Sequence, residues 1–370
     1  MLIPHCIICS APPQSNTKKI DKKIENVYYL KCNKKRKFFC KGDIELTRRS
    51  KTIVSLLLFV LIFGGLLVTA TFTDLQVSNI LTAHALEDHN YYTNDPFGAT
   101  FEAVGSAPVY LMLAFSAHIL FWQVMRKWTK KGAREAVALL LLVGGTVAYY
   151  ELFADAVKYT LQHVDAVGFK DEAFLVGIEL FFSLLCVFLG TMAVRNFSDE
   201  TLGKLVMFAF AVLCIAALSN LIVAVVKIPV GRMRYRAMNT AGGASIGGFD
   251  NFTRWYVVNG QMDKEQMRAL FGTTDACKSF PSGHTCSAGM LYSLIMLIDV
   301  FDIKSKAKKA ALWIIPILYT GTVAVSRIIV GAHFFSDVLM GGTIAFVCTM
   351  IFREIFICKG ANVQALFGKE

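Results

Sequence analysis

The chain has 370 residues, of which 55% are apolar, and a formal net charge of +11. The apolar residues are gathered in runs too long for an ordinary soluble domain, which places the chain in the membrane class. The positive charge does not call for a nucleic-acid partner, because it flanks the apolar runs instead of forming one basic surface.

Residues 1–51 hold thirteen Lys or Arg and read as a disordered, basic cytoplasmic tail. Cys6 and Cys9 form a CxxC with Cys32 and Cys40 further on, so a zinc site is an alternative to a plain tail, although the second pair is not spaced as in a zinc ribbon. The first apolar run begins too late and is too long for a cleaved leader, and is expected to remain as an anchor. Cys186, Cys214 and Cys348 fall inside apolar runs and read as small apolar residues, not as a disulfide framework.

A membrane-crossing helix needs roughly 20 mainly apolar residues. Five runs meet that length, at 53–72, 107–125, 136–154, 173–194 and 205–226. Three more, at 285–301, 310–325 and 334–352, reach it with polar extensions. The expectation is an all-α polytopic bundle of eight spans, with helices over 52–204, a functional core over 205–356 around a motif-bearing loop 227–284, and a short tail 357–370. Glu151 and Glu179 make the third and fourth spans the weakest, since carboxylates inside a membrane are costly.

Short basic loops at 126–134 and 302–309 share one face with both termini in an eight-span chain, and the positive-inside rule makes that face cytoplasmic. Residues 73–106 contain no Lys or Arg, as expected of the opposite side. The long connection 228–280 also lies on that opposite side, yet it carries Arg232, Arg234, Arg236, Arg254, Lys264, Arg268 and Lys278. Cations gathered outside at the end of one helix call for an anionic ligand. The glycine-rich stretch 241–248 lacks the ending of a nucleotide P-loop and reads as a hinge or lid. Asp250, Phe252, Trp255 and Tyr256 after it suit the lipid headgroup level.

Three stretches carry the chemistry, all at helix ends on the outer face. The first runs from Lys227 to Arg234 and, alone, is explained by headgroup anchoring. The second, Pro281-Ser282-Gly283-His284, suits a helix start, where free N–H groups and the dipole also bind a phosphate oxyanion. A lone His284 reads as a core histidine, but beside a phosphate it is a proton donor to a leaving alkoxide. The third contains Ser326, Arg327, His333 and Asp337. His333 and Asp337 are four residues apart and share a helix face, so the carboxylate can accept the imidazole Nδ1–H and leave Nε2 as a nucleophile; helix capping alone also accounts for Asp337. Together, Lys227, Arg234 and Arg327, the Ser282-Gly283 turn and two histidines meet the needs of phosphoryl transfer, whose transition state spreads charge over oxygen atoms. No cluster of metal-binding carboxylates accompanies them, so catalysis without a divalent cation or other cofactor is expected.

At these positions the sequence resembles the type 2 phosphatidic acid phosphatase and vanadium haloperoxidase superfamily, whose signature is Lys-x6-Arg-Pro, Pro-Ser-Gly-His and Ser-Arg-x5-His-x3-Asp. Tyr235 stands where the family usually has Pro. The resemblance covers residues 205–356 and implies a six-helix core in which His333 attacks phosphorus, Asp337 orients it, and His284 protonates the leaving group. Lys227, Arg234, Ser282, Gly283 and Arg327 would hold the phosphate. The implied function is a membrane phosphatase acting on a lipid phosphate monoester or diphosphate such as phosphatidic acid, phosphatidylglycerol phosphate or a polyprenyl diphosphate, through a phosphohistidine. A glucose-6-phosphatase-like enzyme for a soluble ester and a non-catalytic lipid-phosphate binder or transporter are the alternatives; retention of both His284 and His333 favours an enzyme.

Overall fold

The structure, a computed structural model, describes residues 47–84, 91–92, 95–163, 167–169 and 171–367. Cys6, Cys9, Cys32 and Cys40 lie outside the described residues, as does nearly all of the expected basic tail. Eight helices among the described residues are long and apolar enough to cross a membrane: α1 (Arg48–Thr82), α2 (Pro96–Lys127), α3 (Lys131–His163), α4 (Ala173–Arg195), α5 (Asp199–Val230), α6 (Gly283–Val300), α7 (Lys306–Ile329) and α8 (Phe335–Ile357). Each coincides with one expected span, and the chain is an all-α integral membrane protein.

Side-chain placement follows the apolar solvent these helices require. α1 exposes Leu57, Val60, Leu61 and Val68, a surface suited only to lipid. Further along the same helix, Ala70, Asp74, Ser78 and Thr82 recur at four-residue steps and are buried, so its polar stripe faces the bundle. α4 likewise turns Phe181, Leu184 and Phe188 outward and buries Glu179, Ser183 and Thr191. Glu179 is only 3% exposed, which accounts for a carboxylate within an apolar span. The core between α2, α5 and α6 is built on Ile119, Leu202, Phe208, Ile215 and Met290.

Local signals set the helix ends. Ser198 caps α5 by accepting from the Thr201 N–H at 3.2 Å, and Asp199 in the first turn takes Arg126 at 2.9 Å and Lys127 at 2.7 Å. At the other end the regular helix stops at Gly231, whose φ of +53° is left-handed. A side chain there would also strike the Gly260 carbonyl, a Cβ falling 1.6 Å from its oxygen.

Beyond Gly231 the chain forms a packed cap of short helices. The stretch 241–248, expected to be a hinge or lid, is instead a helical corner: Thr240 accepts from the Gly243 N–H at 3.0 Å, and a Cβ on Gly242 would lie 1.8 Å from the Leu270 carbonyl oxygen. Gly242 and Gly243 serve close backbone approach, and Gly247 and Gly248 serve left-handed turns, which sequence alone does not distinguish from flexibility. Trp255 donates to Thr71 Oγ1 at 2.9 Å, and Phe252 turns inward against Phe334.

Candidate active site

The ends of α2, α3, α5, α6 and α7, with the turn before α8, enclose a cavity of about 520 Å³. Lys227, Arg234, Gly283, His284, Arg327 and His333 all line it, although they are spread over 107 positions of sequence (227 to 333). Six cations face the cavity (Lys158, Lys227, Arg234, Arg236, Lys278 and Arg327) against three carboxylates (Glu102, Asp155 and Asp275), so its field favours an anion.

His333 is 1% exposed and sits in the turn between α7 and α8. Its Nδ1 lies 2.6 Å from the Ser279 carbonyl oxygen, which can only accept, so the proton is on Nδ1 and Nε2 keeps its lone pair. Burial pulls the imidazole down to about 3; Asp337 opposes this and Arg234, Arg327 and Lys227 reinforce it. The ring is therefore neutral across the physiological range.

The hydrogen bond expected from His333 to Asp337 is not made. The carboxylate stands 3.8 Å from Nδ1, outside hydrogen-bond range, and acts as a nearby charge. Its oxygens are taken elsewhere: Asp337 Oδ2 accepts from Ser279 Oγ at 2.5 Å and from the Phe334 N–H at 2.8 Å, and Oδ1 accepts from Arg232 at 2.6 Å. The Phe334 bond caps α8, and the Ser279 bond fixes the residue whose carbonyl orients His333. Asp337 thus supports the ring through Ser279. Four-residue spacing brings two side chains to one helix face but does not reveal a competing carbonyl from a distant segment.

His284 Nε2 lies 3.2 Å from the Glu102 carbonyl oxygen. By the same reasoning that nitrogen carries the proton, and Nδ1 is left for a substrate. The ring meets Tyr159 edge-on, centroids 5.0 Å apart.

Arg327 is 1% exposed; its Nη2 donates to Glu102 Oε1 at 2.8 Å, while Nε and Nη1 meet no acceptor among the described residues. Two unpaired buried guanidinium nitrogens on a cavity wall are a site for an oxyanion. Arg234 is held by the Asp275 carboxylate, by the Asp275 carbonyl at 2.9 Å and by the Ala332 carbonyl at 3.3 Å. Burial raises Asp275, but Arg234 and Lys227 outweigh it and keep the carboxyl below its usual range. Lys227 approaches the start of α6, where a Cβ on Gly283 would sit 3.7 Å from its Nζ, so a larger residue there would crowd the ammonium.

Ser282 departs from the expected arrangement. It is fully buried and absent from the cavity wall, and its hydroxyl serves Thr285, accepting from N–H at 3.4 Å and Oγ1 at 3.0 Å. It shapes the turn that presents Gly283 and His284.

Several residues here carry no sequence signal. Glu102 is completely buried and accepts from Arg327, from Arg236 at 3.4 Å and from His163 at 3.1 Å. Arg232, grouped by sequence with the ligand-seeking cations of the long connection, is fully buried and joins Asp74 (2.9 Å) to Asp337, stacked 4.1 Å from the Phe334 ring centroid. Among the described residues no group of three or more His, Cys, Asp or Glu could hold a metal ion.

Residues 208–357 match the family model described as the PAP2 superfamily. Over 188 residues the chain is 29% identical to Lipid phosphate phosphatase 2 of Arabidopsis thaliana, a match covering 49% of this chain and 60% of the relative. The chain thus spans about three fifths of the length of the curated relative it matches. No solved structure gives a significant match.

Proposed function

We propose that the chain, which carries a PAP2 superfamily domain over residues 208–357, is a phosphatase that hydrolyses a lipid phosphate monoester or diphosphate through a phosphohistidine. The observation that carries this reading is the neutral His333 beside Arg327, with a free Nε2 on one residue and two unpaired N–H donors on the other. The Nε2 lone pair forms the N–P bond as the P–O bond to the alcohol breaks, and the leaving oxygen takes a proton from Nδ1 of His284, which enters the step as the imidazolium with its Nε2–H kept on the Glu102 carbonyl. Water then attacks phosphorus and gives its proton to His284, the N–P bond breaks, and phosphate leaves with His333 neutral again. Lys227, Arg234, Arg327 and the backbone at Gly283 take up the charge that builds on the equatorial oxygens, the electrostatic work a divalent cation performs elsewhere.

Residues 205–356 are the catalytic core in this reading, and the cavity opens on the extracytoplasmic face, opposite the Lys-rich short loops, with both termini cytoplasmic. The test is phosphate release from a panel of lipid phosphates by purified protein in detergent with EDTA present. Turnover that survives EDTA and stops with vanadate is expected; turnover that EDTA abolishes and magnesium restores overturns the metal-free reading. Labelling of a cysteine placed at Thr274 from the cytoplasmic side alone contradicts the orientation.

A further inference from the structure

One part of the cavity wall, the lobe beside His284, is made of residues that phosphate chemistry does not require. Its floor is one face of α3, where Asp155, Lys158, Tyr159 and Gln162 recur at helical spacing, and its side is Ser106 and Tyr110 of α2. All six lie before the matched region 208–357. Tyr159 is the residue that meets the His284 ring, so this lobe adjoins the group that protonates the leaving oxygen. A leaving alcohol released beside His284 rests against it.

The lobe is built to hydrogen-bond. Ser106 Oγ and Tyr110 Oη both donate to Asp155 Oδ2, at 3.0 and 2.9 Å, which fixes the carboxylate and leaves Oδ1 for a ligand. Gln162 Oε1 is buried and meets no donor among the described residues. Lys158 lies over the Tyr159 ring, 4.9 Å from its centroid, and adds a cation to the same face. Among the described residues no aliphatic side chain lines the cavity. An acyl chain gains nothing by entering such a site, since burying its methylenes against polar groups strips those groups of water without replacement bonds. The acceptors Asp155 and Gln162 want donors, while Lys158 disfavours a second cation and wants an acceptor. A hydroxyl group answers both demands; an ammonium answers one.

Resting on the phosphatase reading, we infer that Asp155, Lys158 and Gln162 form a leaving-group subsite for an alcohol that keeps free hydroxyl groups beside the esterified one. Such an alcohol occurs as a lipid headgroup or as a free sugar, and the subsite reads the part common to both.

The experiment compares kcat/KM of the full chain in detergent on five substrates. They are a phosphoinositide bearing a phosphate monoester, a free hexose 6-phosphate, dioleoyl phosphatidate, sphingosine phosphate and 4-nitrophenyl phosphate. The parent is expected to prefer at least one hydroxylated substrate to phosphatidate by about tenfold or more, and which one identifies the source. Asp155→Asn and Gln162→Leu are expected to cut that preference about 10- to 100-fold, the range for losing one hydrogen bond to a charged or buried group. Nitrophenyl phosphate, which has no hydroxyl to read, should turn over unchanged in both variants and so reports an intact fold. Equal turnover of phosphatidate, a preference for sphingosine phosphate, or an equal fall on every substrate including nitrophenyl phosphate overturns the subsite. Absence of release from all five substrates by the parent removes the phosphatase reading instead, and the subsite with it.

Discussion

The matched region 208–357 and the helices before it contribute differently to the same cavity. The later region supplies both cavity histidines, His284 and His333, and the arginines around them. The earlier helices supply carboxylates to three of the buried arginines: Glu102 binds Arg236 and Arg327, and Asp74 shares Arg232 with Asp337, while Arg234 takes Asp275 from the later region itself. The histidines and arginines of the later region fall within 107 positions (227 to 333), on a few helix ends. The carboxylates of the earlier helices lie 134, 225 and 158 positions from Arg236, Arg327 and Arg232, because a buried cation accepts any carboxylate the fold brings within reach. The matched region is therefore incomplete as an electrostatic unit without α1 and α2.

The largest effects should come from the later region. His333→Ala is expected to abolish both turnover and acid-labile phosphoenzyme, measured by phosphate release and by trapping labelled protein at short times; phosphoenzyme persisting in this variant while His284→Ala forms none would reverse the roles assigned to the two rings. His284→Ala should lower turnover of a lipid substrate by about 10²–10⁴-fold, the usual contribution of a general acid. It should recover on nitrophenyl phosphate, whose leaving group needs no proton.

Glu102 tests whether the earlier helices matter beyond scaffolding. Glu102→Ala leaves two buried arginines without their acid, a loss of about 3–5 kcal/mol where such a pair is broken. The freed Arg327 would no longer be held against the phosphate, and misplacement on the scale of 1 Å lowers rate about 10²-fold. Glu102→Gln keeps the shape and should keep more of the thermal stability than of the activity. If both variants instead retain full turnover, the division between reacting and holding regions fails.

A pH effect sharpens the same point from the His333 side. Its folded value of about 3 lies below the unfolded value of about 6.5. Between these, the unfolded chain binds a proton that the folded chain refuses, so stability rises with pH across that window and is lost on acidification. His333→Gln should flatten the dependence of thermal unfolding on pH between about 6.5 and 3, by a slope approaching roughly 1.4 kcal/mol per pH unit. Asp275, held low by Arg234 and Lys227, adds a loss near the acid end in parent and variant alike, so the difference between them isolates the histidine.

What sequence could disclose divides along the same line. Span count and motif co-location were legible because length, hydropathy and helix parity are local or additive properties. Glu102 and Asp74 were not, since nothing in their neighbourhoods marks them as partners of Arg327 and Arg232. The contacts of Ser282 and Asp337 were not legible: Ser282 was expected to hold phosphate and its hydroxyl here serves Thr285, and Asp337 was expected on the imidazole and bonds Ser279. In both cases a neighbour outside the motif's own spacing, or within its own turn, takes the bond.

Tyr235, the one departure from the family signature, yields the smallest effect and joins the two regions directly. It is the first residue of a short helix, Tyr235–Met238, a position that proline suits because the N–H there has no helical partner. Arg234 before it is extended, with φ −72° and ψ 148°, as a residue preceding proline is required to be. The turn is therefore the one a proline would select, and Arg234 is placed correctly without it. The tyrosine adds something else: its hydroxyl donates to Asn79 of α1 at 2.8 Å, and its ring packs 6.2 Å from that of Phe334. Tyr235→Phe should lose about 1 kcal/mol, the net worth of one such hydrogen bond, with turnover within a few-fold of the parent. Tyr235→Pro should keep the same turnover while losing the ring contact as well. A double-mutant cycle with Asn79→Ala, read by thermal unfolding in detergent, measures the tether, because Tyr235→Phe should have no further effect once Asn79 is gone. Strict additivity of the two substitutions would show that the bond does not couple α1 to the site, and a turnover collapse in Tyr235→Pro would show that the tyrosine, and not the turn, positions Arg234.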